Sequence, residues 1–247
     1  MRDKKRGPGG EGRKAALITG GARRLGKAMS LELASMGYDI ALHYYRSDPE
    51  AVVEEIRSKG VKCLPIRSNL GDSEAASELV SDAQQHLPCL ELLINNASLF
   101  ERAPAMETTD ELLDAHIELN LKTPYRLSRD FARLTGEGQI INIIDANALS
   151  NRTAYAAYLI SKKGLLSLTT MTALEFAPRI RVNGIAPGLI LPPPGQGQEY
   201  MKEAARKRVP LKRQGRVEDV TRALEYLINN DFITGQILFV DGGEHLR

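Results

Sequence analysis

Short apolar segments with β-strand character alternate with helical patterns along nearly the whole of this 247-residue chain. The segments that predict strands are 15–19, 39–44, 61–65, 92–95, 139–144, 181–185 and 236–240. The segments that predict helices are 24–36, 49–59, 73–86, 110–134, 153–176 and 217–229. Strands that alternate with helices indicate a parallel sheet with helices on both faces. The sequence shows no internal repeat and no interdomain linker, so it predicts one α/β domain.

Local signals mark several of the element ends. Asp48 and Pro49 predict an N-cap followed by a proline in the first helical turn, and Gly37 and Gly60 predict helix ends. The longest irregular stretch is predicted at 187–198, where three consecutive prolines begin at position 192. A loop of that length is usually functional or mobile.

The composition excludes several classes of protein. Two cysteines, Cys63 and Cys89, cannot form a disulfide framework and do not have metal-ligand spacing, so we expect no metal site. No apolar run approaches the roughly 20 residues that a membrane-spanning helix needs. The apolar run that follows the basic start is too short for a signal peptide. We therefore expect a soluble, cytoplasmic protein that does not bind a membrane.

The small positive net charge of +2 is concentrated at the amino end. Residues 1–13 hold five Lys or Arg and two acidic residues, which leaves the remainder near neutral. We interpret residues 1–13 as a disordered basic leader. A nucleic-acid-binding protein presents a basic face on its folded domain, so we expect no nucleic-acid partner. Binding through the leader alone would be strongly salt-dependent and lost on its deletion.

A glycine-rich turn follows the first predicted strand and opens the first predicted helix, with the sequence Thr-Gly-Gly-Ala-Arg-Arg-Leu-Gly at 19–26. Glycines let the backbone approach a pyrophosphate, and a helix N-terminus supplies amide donors. The spacing of Gly20 and Gly26 differs from G-x-G-x-x-G. Taken alone, the turn fits a tight strand–helix connection equally well.

The end of the second strand bears on which dinucleotide binds. His-Tyr-Tyr-Arg-Ser at 43–47 stands where an acidic residue would hold the ribose 2′-hydroxyl of NAD, and the first acid is Asp48. An arginine and a hydroxyl at Arg46 and Ser47 suit a 2′-phosphate instead. The sequence therefore favours NADP(H).

A tyrosine and a lysine stand four residues apart in a predicted helix. Tyr158 and Lys162 therefore lie on one helix face. A nearby lysine can lower the pKa of the phenol and can hydrogen-bond a nicotinamide ribose, so that the tyrosine serves as a proton donor near neutral pH. A single Y-x-x-x-K is common by chance, and its meaning depends on the other motifs.

The ordered set of motifs resembles the short-chain dehydrogenase/reductase family from about residue 14 to the end. The set is T-G-x5-G, N-N-A at 95–97, Asn120, an acid 13 residues before Tyr158, Y-x-x-x-K and the segment 181–188. The resemblance implies a Rossmann-type, doubly wound, seven-stranded parallel sheet with helices on both faces over 14–247. It also implies a nicotinamide cofactor and a homotetramer built through the long helices.

The resemblance also assigns residues to roles. It implies that Asn120 holds a water linking Lys162 to solvent. The cofactor-binding residues that it implies, together with the two arguments above, are Gly20, Arg24, Leu25, Gly26, Tyr45, Arg46, Ser47, Asn69, Leu70, Asn96, Ala97, Ser98, Tyr158, Lys162, Pro187, Gly188 and Leu189. Asn69 stands where the family usually has an Asp that binds the adenine amino group, and its amide oxygen can replace the carboxylate.

Two departures from the family resemble its pteridine-reductase branch. Arg24 stands where most members have Gly, and Asp145 where they have Ser. The Arg46-Ser47 pair and Ser98-Leu99-Phe100 also resemble that branch, and the ending at 241–247 is similar to dihydromonapterin reductases. The resemblance implies reduction of a dihydropterin of the dihydrobiopterin, dihydromonapterin or dihydrofolate type to its tetrahydro form.

The chemistry of that reaction assigns the remaining roles. NADPH would supply a hydride, and Tyr158 with Lys162 and Asp145 would supply the proton. Phe100 would stack on the pterin, while Arg24 and Ser98 would contact its polar groups or the cofactor phosphates. The catalytic residues are then Asp145, Tyr158, Lys162 and Asn120. The substrate-binding residues are Arg24, Ser98, Phe100, Asp145 and Tyr158.

Other interpretations stay open. Asp145 can be a helix cap, Phe100 a core residue, and Arg247 either a frayed end or a contact to a neighbouring subunit's site. The nearest alternative function is a carbonyl reductase of the same family, such as a 3-oxoacyl thioester reductase. A non-catalytic NADP(H)-binding sensor is a third, although such proteins usually lose the tyrosine, lysine or asparagine.

Overall fold

The computed structural model describes residues 12–193 and 195–247, and within these ranges seven strands form one sheet. Every neighbouring pair of strands is parallel. The strands are β1 Ala15–Ile18, β2 Asp39–Tyr44, β3 Cys63–Arg67, β4 Leu90–Asn95, β5 Gly138–Ile143, β6 Ile180–Pro187 and β7 Ile237–Val240. Their order across the sheet is β3-β2-β1-β4-β5-β6-β7. The predicted fold class, a Rossmann-type doubly wound parallel sheet, is confirmed.

Helices connect the strands within the described ranges. They are α1 Arg24–Ser35, α2 Glu50–Arg57, α3 Ser73–His86, α4 Asp110–Ile117, α5 Thr123–Thr135, α6 Ala156–Phe176, α7 Gln198–Arg208 and α8 Val217–Asn229. Short 3-10 helices occupy Ala146–Leu149 and Glu244–Leu246. The sequence did not predict α7. The predicted helix at 110–134 is two α-helices joined by a π-helical turn at Glu118–Lys122.

The alternating side chains of the strands build a hydrophobic core on each face of the sheet. On one face, Ile18 and Ile94 pack with helices α1, α2 and α8. On the other face, Leu17 and Leu93 pack with helices α3, α5 and α6, where Phe131 is fully buried. Residues one apart on a strand point to opposite faces, so two covered faces explain why these strands read as continuous apolar runs.

The strand order reverses at the centre of the sheet. From β1 the chain runs outward to β2 and β3, and it then returns to β4 on the other side of β1. In such sheets ligands bind in the crevice outside the carboxyl ends of the strands at this switch point. The loops that follow β1, β2, β4, β5 and β6 therefore meet there.

Several predicted boundaries shift. Strand β3 lies two residues later than predicted, and Pro49 rather than Asp48 is the N-cap of α2, although Asp48 still accepts a hydrogen bond from the Glu50 amide. Gly37 and Gly60 have positive φ and follow the helix ends, two residues after the last residue of α1 and three after that of α2.

The predicted leader at 1–13 lies mostly outside the described residues, which begin at Gly12. Arg13 donates a hydrogen bond to the Gly60 carbonyl. No helix in the described ranges is long and apolar enough to cross a membrane. The cytoplasmic location stays a prediction.

Candidate active site

A cavity of about 920 Å³ lies at the carboxyl ends of the strands. Every site residue named from the sequence lines it except Asn120. Residues from loops and helices spread along the chain from Gly20 to Glu244 meet there, which the strand order across β1 and β4 explains. The cavity is large enough for an extended ligand, and it is continuous from the glycine-rich turn to Tyr158.

The glycine-rich turn is packed too tightly for side chains. Gly20 has φ +62°, and a Cβ on Gly26 would lie 2.1 Å from the Gly20 carbonyl oxygen. The Thr19 hydroxyl accepts hydrogen bonds from the Asn96 and Ala97 amides at 2.8 and 3.0 Å, and Asn96 Nδ2 donates to Thr19 O at 2.8 Å. This cradle fits the pyrophosphate of a dinucleotide, because the glycines leave the backbone at the start of α1 open to close approach.

His43 is a residue that the sequence reasoning did not assign to the turn. Its Nδ1 accepts a hydrogen bond from the Gly20 amide at 3.0 Å, and its Nε2 lies 3.0 Å from the Ser68 carbonyl. A carbonyl only accepts, so Nε2 carries the proton. Burial lowers the pKa of His43, which keeps this neutral tautomer. The ring thus holds the turn after β1 against the end of β3.

Arg24 adopts a backbone conformation that normally selects glycine. Its φ is +52°, and its guanidinium Nη2 donates a 2.8 Å hydrogen bond to the Pro192 carbonyl. A non-glycine residue in this region costs about 1 kcal/mol or more. The bond links the glycine-rich turn to the loop after β6, so Arg24 spans the phosphate end of the cavity.

The nucleotide end of the cavity is basic. The Arg46 guanidinium lies 5.2 Å from the Tyr45 ring centroid, and Arg23, which the sequence reasoning did not name, also lines this end. No acidic side chain is among the described residues from Gly20–Gly26 and 43–47 that line the cavity. Exposed arginines without an acid fit a 2′-phosphate and do not fit the bare ribose hydroxyls of NAD.

The side chain of Asn69 is partly engaged. Its Oδ1 accepts a hydrogen bond from the Gly71 amide at 3.2 Å, and the following Leu70 carbonyl accepts from the Thr123 hydroxyl at 2.8 Å. Both residues line the cavity. The amide oxygen has a second lone pair, so it can still accept a hydrogen bond from an adenine amino group. That contact stays a prediction.

Asp145 divides its two carboxylate oxygens between two roles. Oδ2 accepts a 2.7 Å hydrogen bond from the Tyr158 hydroxyl. Oδ1 accepts from the backbone amide and the side-chain amide of Asn147 at 2.7 and 2.8 Å, which caps the 3-10 helix. The capping interpretation and the tyrosine-partner interpretation therefore both hold, and the cap fixes the carboxylate beside Tyr158.

Lys162 lies beneath Tyr158 on the same face of α6. Its Nζ donates a 2.8 Å hydrogen bond to the Ile143 carbonyl and lies 5.8 Å from the Tyr158 ring centroid. Burial lowers the pKa of Lys162 to about 8, and the nearby Asp145 carboxylate partly opposes this shift. The ammonium is therefore held close to its titration point at physiological pH.

The pKa of Tyr158 does not behave as the sequence suggested. Burial raises it well above its ordinary value, and the charge of Asp145 and the hydrogen bond to Asp145 raise it further. The lowering of the Tyr158 pKa expected from Lys162 is therefore wrong for this site, because burial and the neighbouring carboxylate both raise that pKa. The phenol stays protonated, which is the state that a proton donor needs.

Asn120 lies in the π-helical turn and is fully buried, outside the cavity wall. Its Nδ2 donates to the Ser161 hydroxyl at 2.9 Å and to Leu99 O at 3.0 Å, while its Oδ1 accepts from Leu99 N at 2.8 Å. The side chain thus ties the segment after β4 to α6. The water-holding role implied by the resemblance stays a prediction. Single π turns inside helices frequently mark functional sites.

Phe100 stands at the mouth of the cavity with its ring 42% exposed. It stacks on Tyr155 at a centroid distance of 5.0 Å and meets the edge of Tyr158 at 4.7 Å. Phe100 is therefore not a core residue, and its ring is held in place beside the Tyr158 hydroxyl. His116, which the sequence reasoning also missed, packs edge-on to Tyr158 at 6.3 Å.

Sequence comparison matches this chain to reductases. A family model described as enoyl-(acyl carrier protein) reductase matches residues 20–245. The chain is 31% identical over 243 residues to the 3-oxoacyl-acyl-carrier-protein reductase FabG of Staphylococcus epidermidis, which covers 94% of this chain and 99% of the relative. It is 29% identical to the corresponding reductase of Synechocystis sp., over 92% of this chain and 95% of that one.

Structural comparison finds a different group of reductases. The chain is similar to crystal structures of FolM alternative dihydrofolate reductase 1 from Brucella canis and Brucella suis, both in complex with NADP. The TM-scores are 0.88 and 0.90, each at 36% identity over 95% of this chain, and the match covers 95% and 96% of those chains.

Proposed function

Because this chain belongs to the short-chain dehydrogenase/reductase family, we propose that it is an NADPH-dependent reductase of a dihydropterin. Its substrate would be of the dihydrobiopterin, dihydromonapterin or dihydrofolate type, and its product the tetrahydro form. The identity to the two FolM structures exceeds the identity to the FabG relatives, which supports the pterin class.

The 2.7 Å hydrogen bond from the Tyr158 hydroxyl to Asp145 Oδ2 is the observation that carries this proposal. A serine at this position, as in most of the family, offers a hydroxyl to a substrate carbonyl oxygen. A carboxylate repels that oxygen, whereas it can accept from an N–H group or hold a proton for a ring nitrogen. The site therefore suits reduction of a C=N bond better than of a ketone.

The reaction adds one hydride to the carbon and one proton to the nitrogen of that C=N bond. Bound NADPH supplies the hydride. Tyr158 holds the proton on its hydroxyl, since burial and Asp145 keep its pKa raised. The Lys162 cation offsets the negative charge that the Tyr158–Asp145 pair gains when the proton leaves. Phe100, fixed against Tyr155, offers its ring to one face of the planar substrate.

The described residues fit NADP(H) as the cofactor. The turn at Gly20 and Gly26 would hold the pyrophosphate, and Arg46, Ser47 and Arg23 would hold the 2′-phosphate. The segment Pro187, Gly188 and Leu189 lines the same cavity. The NADP complexes of the two similar structures support the same assignment.

A substrate panel tests the proposed function. NADPH oxidation is measured with dihydrobiopterin, dihydromonapterin and dihydrofolate, and with an acetoacetyl thioester as the competitor. We expect a higher kcat/KM for at least one dihydropterin than for the thioester. A preference for the thioester would overturn the pterin assignment. Cofactor binding without turnover of either class would instead support a non-catalytic NADP(H) sensor.

A 3-oxoacyl thioester reductase is the second candidate, because the relatives from Staphylococcus epidermidis and Synechocystis sp. carry that activity in their names. Their identities, 31% and 29%, define the family and leave the substrate open. The same panel decides between the two candidates, since both would use NADPH and the same Tyr158–Lys162 pair.

We also propose the homotetramer that the family resemblance implies. The long helices leave large apolar side chains exposed, with Met171 at 68% and Leu174 at 84% on one face of α6, and Tyr125 on α5.

A charged residue on this face tests the assembly. Leu174→Glu is expected to lower the mass measured by light scattering below that of a tetramer. Phe232→Glu, at a position that is 98% exposed and lies outside these helices, is the matched control. An unchanged mass in Leu174→Glu, or a monomeric wild type, would contradict this assembly.

A further inference from the structure

A buried carboxylate joins two arginines that line the active-site cavity. Glu244 Oε1 accepts a hydrogen bond from Arg152 Nη2 at 2.8 Å and lies 3.3 Å from Arg208 Nε. The side chain of Glu244 is 2% exposed, whereas those of Arg152 and Arg208 are 31% and 32% exposed. All three residues line the cavity. None of them takes part in the proposed proton transfer.

The sequence places Arg208 where an apolar residue belongs. Helix α7 buries Met201, Ala204 and Ala205, and Arg208 follows at the next position on the same face. That face packs against the loop after β6 through Leu189. An arginine in this register is brought to the cavity wall, where the carboxylate from the chain's last turn meets it.

Arg152 contacts the same Glu244 carboxylate and lies close in sequence to Asp145 and Tyr158. It lies between the 3-10 helix that Asp145 caps and Tyr155, and its carbonyl accepts a hydrogen bond from the Tyr155 amide. Tyr155 supports Phe100, the proposed platform for the substrate ring. A group bound at Arg152 would therefore belong to the same ligand whose ring rests on Phe100.

The charges of this cluster do not cancel. Two guanidinium groups face one carboxylate, which leaves one positive charge at a wall of the cavity. The second carboxylate oxygen, Glu244 Oε2, is buried and has no hydrogen-bond partner among the described residues. Arg208 Nε is likewise buried and has no hydrogen-bond partner among the described residues. A ligand therefore meets the exposed parts of the two arginine side chains, which are 31% and 32% exposed, and not the carboxylate, which is 2% exposed. Guanidinium groups bind carboxylates in a planar, often bidentate geometry.

We propose that Arg152 and Arg208 bind an anionic tail of the substrate, and that Glu244 positions them. This inference rests on the proposed function and narrows it. Among dihydropterins, a dihydrofolate carries carboxylates on its tail, whereas dihydrobiopterin and dihydromonapterin carry neutral hydroxylated side chains. The cluster therefore selects the carboxylate-tailed class over the neutral-tailed class.

The test compares kcat/KM for dihydrofolate with kcat/KM for dihydrobiopterin under saturating NADPH. We expect a ratio above one in the wild type, and a ratio at least about tenfold lower in Arg152→Gln and in Arg208→Gln, mainly through KM for dihydrofolate. Glu244→Gln is expected to lower the same ratio through KM, because both arginines lose the charge that orients them. Arg206→Gln, an exposed arginine of α7 outside the cavity wall, is the matched control and should leave the ratio unchanged.

The outcomes separate this inference from the proposed function. If dihydrobiopterin is reduced but the ratio is one or less, or if the variants lower both activities equally, the cluster is only structural and the inference is overturned while the function stands. If dihydromonapterin alone is reduced, the inference fails and the function stands, and if none of the three dihydropterins is reduced, both fail. A further arm uses p-aminobenzoylglutamate, the anionic tail alone, as an inhibitor. It should compete with dihydrofolate in the wild type and lose affinity in Arg208→Gln.

Discussion

The Tyr158 hydroxyl donates a 2.7 Å hydrogen bond to a carboxylate oxygen of Asp145, whose other oxygen is fixed by Asn147. Replacing Asp145 with Ser removes the charge and the proton acceptor while restoring the residue that most of the family has. We expect kcat for the dihydropterin to fall at least about tenfold, the scale of a positioned proton-transfer group. Steady-state NADPH oxidation measures it.

Asp145→Asn is the matched control, because an amide keeps the size and can still cap the 3-10 helix. It is expected to lose activity as Asp145→Ser does, but to melt at the wild-type temperature. Full dihydropterin reductase activity in Asp145→Ser would show that the carboxylate takes no part in the reaction.

The buried ammonium of Lys162 predicts how activity depends on pH. Its pKa is lowered to about 8 by burial, so the cation is lost as the pH rises through that value. We expect kcat/KM for NADPH, which reports groups of the free enzyme, to fall above about pH 8. In Lys162→Arg the cation persists, and any residual activity should lose this limb. A wild-type profile that stays flat to pH 10 would contradict the assignment.

The lowered pKa of Lys162 also predicts that stability rises over the pH range in which activity falls. Between about pH 8 and 10.5 the unfolded chain still binds the proton that the folded chain has released, so the free energy of unfolding rises with pH in that window. Across the whole window, the shifted pKa of Lys162 raises the free energy of unfolding by about 3 kcal/mol. Denaturant unfolding across this range measures it. Lys162→Met should lack the rise, and an equal rise in that variant would assign it to another group.

The pattern of apolar segments predicted all seven strands, because the inner strands are covered on both faces and read as continuous apolar runs, and the half-buried edge strands β3 and β7 keep enough apolar residues to show the same pattern. Helix α7 escaped, since its buried face holds only Met201 and two alanines among charged residues. The break at Glu118–Lys122 also escaped, because an inserted residue in a helical turn changes the backbone without changing composition.

The candidate site was predictable where a motif has a fixed spacing, as for Tyr158 and Lys162. Residues brought in by tertiary contact were not predictable. His43 reads as an ordinary strand residue, and only the structure shows its ring between Gly20 and Ser68. The raised pKa of Tyr158 escaped for the same reason, because burial, its largest cause, and the distance to Asp145, which the contact with Asn147 fixes, both arise from tertiary packing.

Arg46 and Arg23 predict a strong preference for NADPH over NADH. Their guanidinium groups line the nucleotide end of the cavity, where the described lining residues include no acid. Arg46→Ala is expected to raise KM for NADPH by about 10- to 100-fold, since it removes a charge-assisted hydrogen bond to the 2′-phosphate. KM for NADH should change little, because NADH lacks that phosphate. An equal change of KM for NADPH and for NADH would show that Arg46 does not bind the 2′-phosphate.

Arg24 predicts a separation of stability from cofactor affinity. Its φ of +52° is tolerated by glycine and strained for other residues, and its guanidinium spans the phosphate end of the cavity. Arg24→Gly and Arg24→Ala both remove the guanidinium, so both should raise KM for NADPH about tenfold. Only Arg24→Ala keeps the strain, and Arg24→Gly should be more stable than Arg24→Ala by about 1 kcal/mol in denaturant unfolding.

Lys212 is the matched control, because it has φ +55° and lies outside the cavity wall. Lys212→Gly and Lys212→Ala should show the same difference in stability and leave KM for NADPH unchanged. Equal stability of Arg24→Gly and Arg24→Ala would mean that the turn carries no strain at this residue.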